Sequence, residues 1–307
     1  MELFQAISLA VKDLGRWDVK VLSIINGIIW LIIWIGIGYF SWDYIFSFTM
    51  HLLNLIPFSF IKFSGGYIIY TLLGIQAVLI TIGILFALLN EPIEKALEKT
   101  HFHYLGVTVG AIVVLFWGFI FFFFKDQILG YIYHILKFLP FKTVEELIAA
   151  FLTVLYIYLL YTASIFFSFL FIIIPKIKHL AKQEYPDIEI GHINYAKLIF
   201  ILLRDFIIFF VLAVVLYPVM LVPVLNFLTL LLLFVISIKE SYHYLIKSMF
   251  HERFSQIELW IVSLISALLN FLPIINIFSP AFEVLTLYHQ ALEKKKEKLA
   301  SNISNNV

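Results

Sequence analysis

The chain has no cysteine and few charged side chains. Asp, Glu, Lys and Arg together make up 13% of its 307 residues, about half the share of roughly 25% that soluble proteins carry. The lack of cysteine excludes disulfides, Cys-ligated zinc, iron–sulfur clusters and thiol catalysis. The formal net charge of +1 gives no case for a nucleic-acid partner or a broadly acidic one.

Motifs that mark catalysis are also missing from the sequence. It contains no Walker loop, no His-Glu-x-x-His, no Gly-x-Ser-x-Gly and no dinucleotide fingerprint. His101 and His103 stand at alternate positions, which do not converge on one metal when they lie on a helix. We therefore expect neither an enzyme nor a metal- or cofactor-dependent protein.

Apolar residues are abundant. They make up 63% of the chain, including 33 Phe, where soluble domains have roughly 45–50%. A water-soluble globule of this composition would lack the polar shell that it needs. The composition predicts an integral membrane protein whose principal partner is the lipid bilayer.

Four apolar stretches have the length of about 20 residues that crosses a bilayer: Val21–Phe40, Tyr67–Leu89, Tyr104–Phe124 and Leu147–Ile174. Two shorter stretches lie between them and each contains a proline near its end: Tyr44–Phe60 and Ile128–Phe141. Apolar segments of that kind are typical of re-entrant or interfacial pieces.

Two longer apolar stretches follow, Leu198–Ile238 and Leu259–His289, and prolines interrupt both near the middle. Because proline removes a backbone donor and clashes with the preceding turn, each stretch predicts a helical hairpin that dips into the bilayer. The expected turns are Pro218–Asn226 and Pro273–Asn276. For the first stretch, two complete spans are the alternative.

These patterns predict an all-α integral membrane protein with four full spans in two tandem span–re-entrant–span units, followed by two C-terminal proline-broken helical hairpins. The segments are an amphipathic cytoplasmic lead at 1–20, repeat units at 21–100 and 101–196, the hairpin pair at 197–289 and a cytoplasmic tail at 290–307. Sixteen Lys and Arg fall on the side of the termini and four on the other side. This bias predicts cytoplasmic termini.

An internal duplication supports the two units. A shift of 83 residues aligns Ile28–Lys99 with Ala111–Lys182 without a gap and with 17 identities in 72 pairs. The most informative matches are Trp34/Trp117, Asp43/Asp126, His51/His134, Pro57/Pro140 and Pro92/Pro175. Two crossings per unit give both copies the same orientation, as parallel repeats require. The tryptophans are interpreted as span packing or as part of an interfacial belt.

We expect Pro92 and Pro175 each to begin a helix on the membrane surface, because proline is tolerated in a first helical turn. Apolar side chains follow at helical spacing, in the second case Ile177, Leu180 and Ala181. The alternative is that both segments are ordinary loops between spans.

The C-terminal region resembles the CysZ-like sulfate permease family, which shares a domain with the etoposide-induced membrane proteins. The residues that carry the resemblance are Leu221–Phe227, Ile238–Tyr244 and Leu268–Glu283, with a fainter match at Ala6–Asn26. The resemblance implies an oligomeric α-helical inner-membrane protein that takes up sulfate. It also associates the anion site with a Gly-Leu-Arg-like motif before the first span, where this chain has Leu14-Gly15-Arg16.

Arg16 is also a candidate anion ligand on chemical grounds. Unpaired N–H groups at the start of the first span favour negative charge, and Gly15 allows close approach. Arg16 supplies a bidentate contact to an oxyanion, with Lys20 adding positive charge. The alternative is that these residues only determine topology, as basic residues beside a first span commonly do.

Five polar residues in the hairpins are candidates for lining a passage: Arg204, Asp205, Asn226, Asn276 and Glu283. Neighbours on a helix point about 100° apart, so we expect Arg204 and Asp205 to find partners elsewhere, Glu283 among them. The asparagines follow their prolines in Pro-x-x-Asn tips, where an amide can satisfy carbonyls that proline frees. Structural ion pairing and packing are the alternatives.

The sequence thus predicts a transporter or channel for a small oxyanion, most of all sulfate, that works without ATP hydrolysis. We expect a homo-oligomer in the inner membrane of a bacterium. The alternative is a membrane scaffold or assembly protein that transports nothing.

Overall fold

In a computed structural model, every regular element of the chain is a helix within the described residues, which are 3–55, 58–97, 103–136, 144–184, 190–222 and 224–304. The α-helices are α1 (Leu3–Leu14), α2 (Trp17–Asn54), α3 (Phe58–Leu97), α4 (His103–Phe123), α5 (Lys125–Leu136), α6 (Val144–Glu184), α7 (Tyr195–Val215), α8 (Leu225–Phe250), α9 (Gln256–Leu269) and α10 (Ser279–Ser304). Short 3₁₀ turns lie at Tyr217–Leu221 and Ile275–Phe278. The all-α prediction is confirmed.

Among the described residues, five helices are long and apolar enough to cross a bilayer: α2, α6, α7, α8 and the part of α3 at Gly66–Leu85. A sixth candidate is the pair α4 and α5, which meet at a bend of 73°. This bend is compatible with a broken span or with the expected re-entrant segment. Each of α7 and α8 is by itself long and apolar enough to cross a bilayer. The pair is therefore compatible with two complete spans as well as with one hairpin.

The first re-entrant segment, expected at Tyr44–Phe60, is not separate from the first span. α2 runs without interruption to Asn54, because no proline or glycine stands between Gly38 and that residue. Pro57, Pro140 and Pro223 lie outside the described residues. A helix of 38 residues rises about 57 Å at 1.5 Å per residue, which exceeds the roughly 30 Å of a bilayer core.

Neither Pro92 nor Pro175 begins a new helix, so that prediction was wrong. α3 continues to Leu97, and α6 continues through Pro175 to Glu184. A membrane helix tolerates proline where neighbouring groups replace the lost hydrogen bond. The expected apolar stripe after Pro175 is buried. Its packing against neighbouring residues stabilises the helix beyond the proline.

The chain divides into two compact units. Unit 1 comprises Met1–Trp34, Leu160–Val215 and Leu231–Val307, and unit 2 comprises Ile35–Leu159 and Leu216–Leu230. In unit 1, aromatic rings pack at the centre, with Phe166 6.0 Å from Tyr242 between centroids. In unit 2, a cluster of buried aliphatic residues includes Leu53, Ile68 and Leu152. The segment boundaries predicted from the sequence stay predictions.

The duplicated tryptophans make equivalent hydrogen bonds. In unit 1, Trp34 Nε1 of α2 donates to Ser164 Oγ of α6 at 2.9 Å. In unit 2, Trp117 Nε1 of α4 donates to Thr81 Oγ1 of α3 at 2.8 Å. Thr81 and Ser164 are themselves 83 residues apart. The first helix of each copy therefore packs against the second helix of the other copy.

A second pair of contacts follows the same rule. A Cβ on Gly38 of α2 would lie 3.4 Å from Ile157 of α6, and a Cβ on Gly74 of α3 would lie 3.4 Å from Phe121 of α4. The 83-residue shift relates Gly38 to Phe121 and Gly74 to Ile157. Two independent pairs of positions thus support a reciprocal arrangement of the duplicated helices.

Candidate functional site

The predicted anion site lies in the turn between α1 and α2. Arg16 contacts two carboxylates, with Nη1 3.9 Å from Asp13 Oδ1 and Nε 3.7 Å from Asp18 Oδ1. Both distances exceed the roughly 2.7–2.9 Å of a charge-assisted hydrogen bond. Asp13 Oδ2 lies 3.0 Å from Nε2 of His289. Asp18 Oδ2 contacts Nζ of Lys176. The carboxylates thus have closer partners than Arg16, whose guanidinium is loosely held.

The backbone of this turn offers an anion less than we expected. The Gly15 N–H donates to the Lys12 carbonyl at 2.9 Å, and the Arg16 N–H donates to the carbonyl three residues before it at 3.0 Å. The Asp18 carboxylate accepts from the N–H of the next residue at 2.9 Å. Lys20 lies in the first turn of α2, where its N–H donates to the Arg16 carbonyl. Oxyanion binding here therefore depends on the Arg16 side chain.

Arg204 and Asp205 pair with each other, contrary to our expectation. Nε and Nη2 of Arg204 donate to Asp205 Oδ1 at 2.9 and 2.7 Å. Ser241 Oγ of α8 donates to Asp205 Oδ2 at 2.5 Å. The long Arg side chain bends back over the 100° between neighbours on a helix. Its positive charge is already compensated, which weakens its case as an anion ligand.

The two Pro-x-x-Asn tips share an unusual backbone. Val224 and Ile274, each directly after the tip proline, have φ angles of 68° and 72°, a region that β-branched residues avoid. Asn226 and Asn276 follow two residues later and are buried. The N–H of each asparagine donates to the carbonyl four residues before it, at 2.9 and 3.0 Å respectively. The resemblance between the tips thus extends from their sequences to their backbones.

The asparagine side chains have different partners. Asn226 Nδ2 donates to the Met220 carbonyl at 2.6 Å, so it closes its own tip as we expected. Asn276 Nδ2 donates to Thr162 Oγ1 of α6 at 3.4 Å. The second tip is therefore tied to a long membrane helix.

A row of polar side chains lies between α2 and α6 in unit 1. It consists of Asn26, Trp30 and Trp34 at four-residue spacing on α2, with Ser164 and Ser168 on α6; we name it the polar seam. Trp30 Nε1 donates to Ser168 Oγ at 2.7 Å, and Ser168 Oγ donates to Asn26 Oδ1 at 2.8 Å. Trp34 and Ser164 form the bond given above. The polar seam is a continuous line of hydrogen-bonding groups within a membrane helix pair.

The second tip approaches this pair closely. A Cβ on Gly27 of α2 would lie 2.6 Å from Cγ2 of Ile277, so only glycine leaves room for the tip. The Tyr161 hydroxyl of α6 donates to the Gly27 carbonyl at 3.4 Å. The polar seam, Gly27 and the second tip together form the candidate site of unit 1.

Sequence reasoning missed the polar seam. It interpreted Trp30 and Trp34 as packing or belt residues and did not single out Asn26, Ser164 or Ser168. The signal was present in the spacing, since three hydrogen-bonding residues on α2 and two on α6 each recur at intervals of four.

Among the described residues, no group of three His, Asp or Glu side chains could hold a metal ion.

Glu283 does not reach Arg204. It lies wholly buried in α10, and its Oε1 accepts from Ser263 Oγ of α9 at 2.7 Å.

A comparison of the chain with models of protein families, with curated proteins and with solved structures found no match. The resemblance to CysZ-like sulfate permeases therefore stays a prediction.

Proposed function

We propose that the chain is a membrane transporter or channel that passes a small oxyanion, with sulfate as the favoured substrate, and that it uses no ATP. The polar seam is the observation that supports transport most directly. Polar side chains inside membrane helices are costly, and they commonly mark a substrate pathway. Every member of the polar seam carries an N–H or O–H donor, and each of these donors bonds within the seam or to a carbonyl of α6. A passing oxyanion, whose oxygens accept, would exchange with those acceptors.

The duplication adds to this proposal. Parallel repeats with one orientation are a common architecture of membrane transporters. Trp34 and Trp117 make equivalent hydrogen bonds to helices of the opposite copy.

Arg16 is the proposed entry residue. Its carboxylate contacts are long, while Lys176 and His289 hold Asp18 and Asp13. The guanidinium can therefore turn to an arriving oxyanion without leaving either carboxylate unpartnered. The cytoplasmic location of this end, the bacterial inner membrane and the homo-oligomer belong to the same proposal.

The test is the flux of labelled sulfate into proteoliposomes. Three samples are needed beside the intact chain: Arg16→Ala, the control Arg253→Ala and empty vesicles. Arg253 is an exposed arginine between α8 and α9, so its loss should leave flux unchanged. We expect flux above that of empty vesicles and a loss of at least about tenfold with Arg16→Ala, because one charge-assisted contact contributes about 1.5–3 kcal/mol.

Three outcomes separate the parts of the proposal. Flux that is unaffected by Arg16→Ala keeps the transporter and removes its entry site. Flux of another oxyanion but not of sulfate corrects the substrate. An inserted, folded chain that passes no oxyanion at all refutes transport and favours the scaffold.

A further inference from the structure

Glu283 of α10 is wholly buried, with 0% exposure, and α10 is not among the helices long and apolar enough to cross a bilayer. Oε1 accepts from Ser263 Oγ at 2.7 Å. Oε2 has no hydrogen-bond partner among the described residues. An ionised carboxylate in such a position loses its hydration and gains only neutral hydroxyl donors in exchange. The neutral acid is much less penalised.

No cation compensates the carboxylate in the described part of the chain. The ionisable groups of α9 and α1 that bind α10 do so further along it: Glu258 binds Lys294 and Asp13 contacts His289. The remaining ionisable group of α1 is Lys12, and the 3₁₀ turn at Ile275–Phe278 contains none. The described elements packed against α10 therefore supply no counter-ion to the charge of Glu283.

Tyr242 is the titratable group that faces Glu283 from α8. Its hydroxyl donates to the Phe166 carbonyl of α6 at 3.0 Å, so the phenol is already committed elsewhere. Burial raises the pKa of Glu283 to about 7, against the lowering effect of the Ser263 and Ser266 hydroxyls.

Two serines join α9 and α10 one helical turn before Glu283. Ser266 Oγ donates to the Ser279 carbonyl at 3.0 Å, and Ser279 Oγ donates to the Ser266 carbonyl. These bonds hold the backbones of α9 and α10 close together, and Oε2 of Glu283 is shielded from solvent. Separation of α9 and α10 would admit water to the carboxyl group and favour its ionised form.

We propose that Glu283 is a proton-binding site between α9 and α10, filled when the helices pack as in this structure and emptied when they separate. The ligand is a proton, and the carboxyl Oε2 is the atom that binds it. This inference does not rest on the proposed transport of an oxyanion.

The first test compares the melting temperature of the purified full chain with that of Glu283→Gln between about pH 5 and about pH 8. A carboxyl whose pKa is raised by folding contributes stability at low pH and loses it as the pH rises to the folded pKa. The wild type should therefore match the glutamine variant at about pH 5 and melt below it at about pH 8. Glu240→Gln, which alters an exposed carboxyl of α8, is the matched control and should show no such divergence.

A second measurement reads the carboxyl directly. The infrared C=O band of a protonated carboxylic acid should vanish from the wild type with a midpoint near neutral pH and be absent from Glu283→Gln. Ser263→Ala removes a donor to the ionised form, so the midpoint should move to higher pH. Curves for wild type and Glu283→Gln that stay parallel at every pH would overturn the proposal. A midpoint that shifts when sodium replaces choline at equal ionic strength would assign the site to a metal cation instead.

Discussion

The backbone of Ile274 is strained, and relieving the strain should stabilise the protein. Its φ of 72° and ψ of −45° lie close to the rare γ-turn conformation, which a β-branched side chain disfavours. The side chain is 79% exposed, so its removal eliminates few packing contacts. Ile274→Gly is therefore a substitution whose effect is dominated by the backbone.

The magnitude follows from two opposing contributions. A residue held in such a region costs on the order of 1–3 kcal/mol, and glycine adopts it without that cost. Glycine also gains freedom in the unfolded chain, which costs about 0.5–1 kcal/mol. We expect a net increase of about 1 kcal/mol in the free energy of unfolding for Ile274→Gly.

The assay is equilibrium unfolding of the full chain in mixed micelles. Ile275→Gly is the matched control, because Ile275 begins a 3₁₀ turn and is not among the residues with positive φ. That variant should lose about 1 kcal/mol. Ile274→Ala keeps a Cβ and should gain less than glycine. A destabilised Ile274→Gly, or equal effects at both positions, would refute the strain argument.

Two further predictions concern unit packing and pH. Trp34→Phe and Trp117→Phe each remove one hydrogen bond between membrane helices and should each lower stability by about 1 kcal/mol; a measured loss at only one position would contradict the reciprocal arrangement. Burial raises the pKa of Glu258, but the Ser255 backbone N–H and Lys294 outweigh it, so the pKa is lowered. Glu258→Gln should therefore lower the melting temperature at neutral pH, and the difference should disappear below about pH 4; a constant difference would rule out that linkage.

Composition and periodicity were sufficient to predict an all-helical membrane protein. Apolar stretches of span length become helices in a bilayer because each backbone N–H and C=O must find its partner within the segment. The helix breaks at the two Pro-x-x-Asn tips were predictable for the same local reason. α7 ends at Val215 and α8 begins at Leu225, within the first tip.

Local rules failed where packing opposed them. Pro175 resembles a helix start in sequence, but α6 runs through it because the buried residues beyond it hold the helix against its neighbours. Arg204 and Asp205 point in different directions as neighbours on a helix, yet a flexible guanidinium reaches back to the carboxylate. Side-chain reach and burial, which a helical projection omits, decided both cases.

The sequence by itself determined which residues of the two copies correspond, since Trp34 and Trp117 align under a single shift of 83 residues. Only the tertiary structure decided that each tryptophan bonds to the copy to which it does not belong, through Ser164 and Thr81. Residues that match under the shift show which positions of the two copies are equivalent, but not which helices pack together. The choice of partner depends on which helix faces bury the most surface together, and that is a property of the folded chain.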